Sequence, residues 1–263
     1  MALTKKQHEL REGKLTASQV GALMSGDPDK ILNLWRLHIG DPAYVEDDLS
    51  AVWPVRLGEA TEALNLEWYT RKHAPISRVG EVVFGNPSWM AATLDAWDEQ
   101  RGCPVECKHV GGREPLETIH ARYTPQCTWQ MLVTKAKECA LSVIMGTNEP
   151  AVDYLTLDTD YAAELMKRAE QFMGCVESLT PPVVLPPAAA PVVAAKVYDM
   201  TSNNAWANYA TIWVRAKSEA EQFNMAVKEL KALVPPDAAK CSGHEISISR
   251  NRAGSLTIKG EKK

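Results

Sequence analysis

An α/β fold with a mixed central β-sheet flanked by helices, followed by a small helical and hairpin appendage, is what this sequence predicts. Three observations lead there. Helix-like segments open the chain, strand-like segments follow with one helical region inserted, and another amphipathic helix closes the main part. That order suits an α/β layer arrangement with a mixed sheet. The run TPPVVLPPAAAPVVAA, residues 180–195, carries five prolines, which forbid a regular helix and favour an extended linker. The chain therefore divides into a core over residues 1–179, a Pro/Ala-rich linker over 180–195 and an appendage over 196–263. Third, TLDAWDEQRGCPVECKH, residues 93–109, reads as a strand, a polar turn at Gly102 and a second strand.

Taken in order, Thr4 to Lys14 reads as a short helix, and Thr16 or Ser18 as the cap of a second one over Gln19 to Met24, because either hydroxyl can accept from an orphan backbone N–H. Such a helix start also suits a phosphate, and Arg11 lies close enough upstream to add a bidentate grip. Pro28 to Ile39 has Ile31, Leu34, Trp35 and His38 at helical spacing, stopped by Gly40-Asp41-Pro42. Ala43 to Pro54 is a loop. Val55 to Lys72 is a helix with Leu57, Ala60, Leu64 and Trp68 as its apolar stripe and Glu59 and Glu62 off it. Ile76 to Val83 and Trp89 to Leu94 are strands. After the 93–109 hairpin come helices over Arg113 to Ala121 and Gln126 to Lys137, the second opened by Pro125. Strands over Leu141 to Gly146 and Ala151 to Leu157 precede a helix over Asp160 to Leu179. Beyond the linker, Asn203 to Ala216 and Ser218 to Leu233 are helical, and Ile246 to Ile248 and Leu256 to Ile258 form a hairpin.

The bulk numbers exclude several classes. With 263 residues, 45% hydrophobic and 24% charged, the composition is that of a globular protein. No run of about 18 apolar residues marks a membrane span, and the polar start is not a secretory signal. Six cysteines without CxxC pairs fit a reducing, cytoplasmic setting better than a zinc site or a disulfide framework. A net charge of −4 speaks against a general DNA-coating protein, but leaves room for local basic surfaces. Two are present: Lys5, Lys6, Arg11 and Lys14, and Arg250, Arg252, Lys259, Lys262 and Lys263.

The 93–109 stretch carries the chemistry. In a strand, alternate side chains share a face, so Glu106 and Lys108 point one way and Cys107 the other. A turn at Gly102 returns Asp95 beside Glu106. Two carboxylates about 4–6 Å apart repel unless a proton or a cation joins them. Oxygen ligands completed by water suit Mg²⁺ or Mn²⁺, and a neighbouring lysine can position or deprotonate an attacking water. This residue set serves metal-assisted phosphodiester hydrolysis. An ordinary hairpin with surface charges has the same spacing.

Four patches, in order, resemble the lambda-exonuclease and YqaJ-type phage recombination nucleases of the PD-(D/E)xK superfamily. They are Arg11-Glu12-Gly13-Lys14-Leu15-Thr16-Ala17-Ser18, Gly58-Glu59-Ala60-Thr61-Glu62, Asp95 with Glu106-Cys107-Lys108, and Tyr123-Thr124-Pro125-Gln126 followed by Trp129-Gln130-Met131. The resemblance covers about residues 8 to 180. It implies that Asp95 and Glu106 ligate catalytic Mg²⁺, with the Cys107 carbonyl as a further ligand. Glu62 rather than Glu59 would serve a second metal, and Mn²⁺ would substitute. Lys108 would orient and activate water, Gln126 would hold the nucleophile or scissile phosphate, and Arg11 and Ser18 would receive a terminal 5′-phosphate. The chain departs from the family pattern at Leu94-Asp95-Ala96, where Pro-Asp-Gly is usual, and at His109-Val110, where Cys-Pro usually follows the lysine.

The expected activity is a Mg²⁺-dependent 5′-to-3′ exonuclease. It would digest double-stranded DNA from its ends to 5′-mononucleotides and leave 3′ single strands for a single-strand annealing or recombinase protein. The resemblance further implies a homotrimer, in a bacterial host's cytoplasm, encoded by a phage or prophage. Two alternatives are a structure-specific or restriction-like endonuclease using the same site, and a non-catalytic DNA-end-binding protein. The appendage, with its Arg250/Arg252 pair, is expected to contact DNA or the annealing partner, or to complete the fold or oligomer.

Overall fold

The computed structural model describes residues 4–44, 48–191 and 199–260. Lys262 and Lys263 of the terminal basic cluster and residues 192–195 of the expected linker lie outside the described residues. Two compact units divide the chain, Met1–Ala194 and Ala195–Lys263.

The first unit is the expected mixed α/β arrangement. It opens with α1 (Lys5–Arg11), β1 (Leu15–Thr16), α2 (Val20–Ser25), α3 (Pro28–Ile39) and α4 (Trp53–Lys72). Strands β2 (Ile76–Ser77), β3 (Val82–Phe84), β4 (Met90–Thr93), β5 (Ala96–Asp98) and β6 (Cys103–Val110) follow. Helix α5 (Leu116–Thr134), β7 (Glu138–Met145), β8 (Ala151–Thr156) and α6 (Thr159–Glu177) complete it. A five-stranded sheet runs β2-β5-β6-β7-β8, and β1-β4-β3 form a smaller one. Only β6 and β7 pair in parallel within the larger sheet, so it is mixed.

Alternation along β6 assigns its two faces. The Asn65 amide of α4 donates to the Ser142 carbonyl (3.0 Å), and the Ser142 hydroxyl donates back to it (2.6 Å). Ser142 is registered with Cys107, so Cys107 looks toward α4. Glu106, one residue away, looks the other way, toward Gln126 and Gln130 of α5. The sheet is therefore held between α4 and α5. Two further groups on the α4 side differ: the Tyr69 hydroxyl donates to Asp98 at 2.7 Å, as burial demands, whereas the buried Trp68 indole N–H has no partner among the described residues.

Several elements differ from the sequence reading. The stripe through Ala60 and Leu64 is exposed, and α4 instead buries Asn65, Leu66 and Tyr69. The sheet takes polar residues with partners in preference to that apolar line. Thr16 and Ser18 do not cap α2, whose N-cap is Gln19 with no side-chain bond. The expected Ile76–Val83 strand is broken by a turn with Arg78 and Gly80 at positive φ, which sends its halves to different sheets. Pro125 lies inside one continuous α5. Its missing N–H and its ring cost only one turn of bonding, and the Thr124 hydroxyl donates to the His120 carbonyl nearby (2.7 Å).

Residues 180–191 have no regular secondary structure, and the Ala188 N–H donates to the Met24 carbonyl at the end of α2. In the second unit, residues expected to form two helices form one, α7 (Asn204–Ala232), because no glycine or proline interrupts them. Strands β9 (Lys240–Gly243), β10 (Ile246–Arg250) and β11 (Leu256–Gly260) make an antiparallel sheet, of which β9 is unanticipated. Arg250 donates to the Ala238, Gly254 and Pro235 carbonyls, so this guanidinium holds the unit's own turns together. Among the described residues no helix is long and apolar enough to cross a membrane, and all six cysteines are free thiols.

Candidate active site

The site grows from the β5–β6 hairpin. Ala96 is registered with Val105, so the next pair along is Asp95 with Glu106. Gly102, at φ +64°, supplies the left-handed turn that makes this register possible. The pairing expected from the sequence is thus present. The Asp95 carboxylate accepts from the Cys107 N–H at 2.8 Å. The N–H and C=O of one strand residue project to the same edge, so the Cys107 carbonyl also lies on the Asp95 side. The Cys107 side chain is buried on the opposite face, and burial holds its thiol well above the usual range.

Glu106 buries its carboxyl group almost completely, at 1% exposure. Three donors make that tolerable. Lys108 Nζ lies 2.5 Å from Oε1, Gln126 donates to Oε1 at 2.6 Å, and Gln130 donates to Oε2 at 2.5 Å. Gln126 and Gln130 stand one helical turn apart on α5 and so share a face. Burial alone would lower the Lys108 pKa, but the charges of Glu106 and Asp95 outweigh it and hold the ammonium protonated above its usual range. Asp95 also moves up, which for a carboxyl favours the neutral form. Burial, then the Glu106 charge, push its carboxyl up to about 7 from 3.8, against Lys108 and the Cys107 N–H.

A cavity of about 350 Å³ gathers the rest. Arg11, Ser18, Glu62, Asp95, Glu106, Lys108 and Gln126 all line it. Of the residues predicted for the site, only Cys107 is absent from its wall, and that residue was expected to act through its main chain. Glu62 reaches the cavity because it lies on the sheet-facing side of α4, one turn before Asn65 and Leu66, whereas Glu59 is exposed. Also lining the cavity, Arg11 donates to the Thr16 hydroxyl (3.1 Å) and the Ser18 hydroxyl (3.3 Å). Burial lowers the Arg11 pKa, and among the described residues it forms no ion pair. A half-buried guanidinium facing hydroxyls rather than a carboxylate is receptive to an anion.

These groups suit a hard divalent cation. Among the described residues, no three His, Cys, Asp or Glu side chains gather closely enough to close a metal shell by themselves. Mg²⁺ does not need that: one or two carboxylates, completed by water and phosphate oxygens, are its usual setting. Asp95 retains its proton to about pH 7 beside Glu106, as expected of paired carboxylates without a cation between them. The Thr93 hydroxyl, which also lines the cavity, is buried with no hydrogen-bond partner among the described residues, and water of a hydrated ion would supply one. Asp95, Glu106, the Cys107 carbonyl and Glu62 would supply oxygens to hold it.

Sequence reading missed Gln130, Thr16 and Thr93 as site residues. Gln130 left a signal, a second glutamine four places after Gln126. Thr16 left one too, standing with Ser18 at the helix start that suits a phosphate, whereas Thr93 left none, since a threonine beside a strand is commonplace. We predict that Gln130→Leu, which keeps the bulk but removes the donor to Glu106, costs about 1–3 kcal/mol. Thermal denaturation without metal should show Tm falling by roughly 3–10 °C. An unchanged Tm would mean that Glu106 does not need this donor. A larger cavity of about 450 Å³ lies among Leu23, Ile31, Phe172 and Leu185. Its one buried charge, Arg168, is already bound to Glu164 and the Leu23 carbonyl.

The model of the YqaJ-like viral recombinase domain matches residues 6–137, half of the chain and every one of the site residues named above. The chain belongs to this family. Among solved structures it is similar to an alkaline exonuclease from Laribacter hongkongensis, with 17% identity, a TM-score of 0.55, and coverage of 67% of this chain and 94% of that one. The same exonuclease in complex with dAMP gives 16% identity, a TM-score of 0.53 and the same coverage. A phage-related exonuclease from Haemophilus somnus gives 8% identity and a TM-score of 0.50, over 63% of this chain and 94% of that one. Likeness at these identities shows a fold shared with these exonucleases. No curated protein matches the chain.

Proposed function

We propose that this YqaJ-family protein is a Mg²⁺-dependent deoxyribonuclease that digests double-stranded DNA from its ends, 5′ to 3′. It would release 5′-mononucleotides and leave 3′ single strands. The observation that carries this reading is that one cavity is lined by two kinds of group: Asp95, Glu106, Lys108 and Glu62, and Arg11, Thr16 and Ser18. The first suits a scissile phosphodiester and the second a terminal phosphate. Bound divalent metal would polarise the phosphate and activate water. Lys108, held protonated, would donate to that water or to the phosphate. Gln126 would fix Glu106 and contact the reacting group. The dAMP complex of the alkaline exonuclease that shares this fold is of the chemical class this reaction would release. The family resemblance adds three proposals that geometry does not address: Mn²⁺ as a substitute, a single-strand annealing or recombinase partner, and a homotrimer.

The test is a linear duplex labelled at one 5′ end beside the same DNA as a closed circle, with Mg²⁺ or with EDTA. Mononucleotides from the linear form alone, abolished by EDTA and by Lys108→Ala, are expected. Cutting of the circle would replace this reading with an endonuclease, and binding of ends without cleavage would replace it with an end-binding protein. Arg11→Gln tests the second kind of group. We predict that it lowers kcat/KM on 5′-phosphorylated ends by about 10–100-fold, the loss of a charged hydrogen bond worth about 1.5–3 kcal/mol, and barely changes the rate on 5′-hydroxyl ends. Equal losses on both would remove the phosphate from that pocket.

A further inference from the structure

Helix α7 lies outside the residues that match the family, and none of its described side chains is buried. That is unusual for its content. Trp206, Tyr209, Trp213 and Phe223 are 58%, 69%, 63% and 68% exposed. They are not scattered. Numbering Trp206 as position a of a heptad, the a positions are Trp206, Trp213, Ala220 and Val227, and the d positions are Tyr209, Ala216, Phe223 and Leu230. Every a and d is apolar over four heptads, while most of the remaining positions are polar or charged. A seam repeating every 3.5 residues is the pattern of a helix that winds against another helix. The last heptad is partly used at home: Leu230 and Val234 line a small cavity with Cys241, Ile246 and Ile248. The open seam therefore runs from Trp206 to Phe223.

Its area is near what a stable contact needs. Aromatic side chains bury about 150–250 Å² each, so four on one helix at 58–69% exposure offer roughly 350–700 Å² before the flanking positions are added, approaching the about 800 Å² per partner of a standard interface. The flanking positions indicate which helix fits. Position g holds Ile212, Glu219 and Ala226, and position e holds Lys217, Asn224 and Lys231. If an identical helix lies parallel and in register, Ile212 meets Lys217 of the second copy, Glu219 meets Asn224 and Ala226 meets Lys231. No like charges meet, and lysine stems cover apolar neighbours. The antiparallel pairing that matches a to d, with Trp213 on Phe223 and Ala216 on Ala220, instead brings Lys217 near Lys217 and Glu219 near Glu219.

We propose that α7 is a self-association helix, which joins copies of this chain through a parallel, in-register coiled coil along Trp206, Tyr209, Trp213, Ala216, Ala220 and Phe223. The contact is independent of the nuclease reading and sits in the appendage rather than in the family domain. In this arrangement identical d residues face each other, whereas in the antiparallel one Phe223 is ten residues, about 15 Å, from its own copy.

Oxidative cross-linking of the full-length chain tests it. Phe223→Cys should yield a disulfide-linked dimer on a non-reducing gel. Ser218→Cys, on the outer face of the heptad, and the parent chain with its own six cysteines should give only background. Adding Trp213→Glu to Phe223→Cys should reduce the link at least about tenfold, the effect of losing 1.4 kcal/mol or more of association. Circular dichroism on each variant would establish that the helix persists. No link at Phe223 above background overturns the proposal, and would mean that another surface of the chain or another protein covers the seam. A link between separate Trp213→Cys and Phe223→Cys chains, with none at Phe223 alone, overturns it in favour of an antiparallel pair.

Discussion

Asp95→Asn is expected to reduce DNA cleavage by on the order of 10³-fold and, in the same protein, to raise the melting temperature measured without metal. The two effects have one source. In the metal-free fold, burial and then the Glu106 charge hold the Asp95 carboxyl up to about 7, against an ordinary 3.8. Between about pH 4 and pH 7 the folded protein therefore keeps a proton that the unfolded chain releases. The folded state binds more protons across that window, so its stability falls as pH rises through it and stays reduced above pH 7. Asparagine has nothing to ionise, and its amide oxygen still accepts from the Cys107 N–H. The full shift corresponds to about 4 kcal/mol at 1.36 kcal/mol per unit, but Asp95 is only half-buried, and solvent screening reduces this to roughly 1–2 kcal/mol. Above pH 7 the variant should melt roughly 2–8 °C higher than the parent, with the difference gone by about pH 4. Mg²⁺ should stabilise the parent increasingly as pH rises from about 5 to 7, because the metal competes with the Asp95 proton, and should do little for the variant. A variant that cleaves normally would remove Asp95 from the chemistry. One that melts lower at pH 8 would show that the ionised carboxylate is not under strain.

How far the sequence reveals this arrangement depends on how local the cause is. The β5–β6 hairpin is legible because one glycine and a period of two fix it: Gly102 turns the chain, and Asp95 then falls opposite Glu106. The cavity's second kind of group is legible only through the order of four motifs, since nothing local says that Arg11 will share one cavity with Lys108. The buried face of α4 is read wrongly from its apolar residues. It is set by Asn65 and Tyr69, whose partners Ser142 and Asp98 lie 77 and 29 residues away, and no periodicity contains such pairings. The continuity of α5 through Pro125 is hidden for a similar reason. The tertiary contacts of its buried residues, Trp129 and Met131 among them, outweigh a local preference of a few kcal/mol. Gln130 falls between these cases, because its spacing from Gln126 is visible while the carboxylate it serves is not.

Lys108→Met should lower cleavage by about 10²–10⁴-fold and move metal-free stability opposite to Asp95→Asn. Lys108 lies 2.5 Å from Glu106 and 5.1 Å from the centre of the Tyr123 ring. Methionine retains the chain's bulk but leaves Glu106 buried, with only Gln126 and Gln130 as neutral donors. Removing one member of a buried pair costs about 3–5 kcal/mol. At 24% exposure the Lys108 side chain is partly solvated, so a loss of roughly 2–3 kcal/mol is expected, read as a Tm drop of about 4–12 °C. The ammonium's own share of this loss should be flat between pH 5 and 9, with a further change around and above pH 7 because losing Lys108 lets the Asp95 pKa rise further. The ammonium's pKa is raised in the fold, so its contribution is complete below the unfolded value and fades only as pH climbs through the folded one. Any pH dependence inside that window then belongs to Asp95. Mg²⁺ should restore more stability to Lys108→Met than to the parent, because the cation takes over the neutralisation of Glu106, yet cleavage should stay low for want of the donor to water or phosphate. Lys108→Arg should not rescue the rate, since a planar guanidinium cannot place a single compact charge where the ammonium sits. If Mg²⁺ returned stability and cleavage together in Lys108→Met, the lysine would be a counter-charge for Glu106 alone and its role in the reaction would be withdrawn.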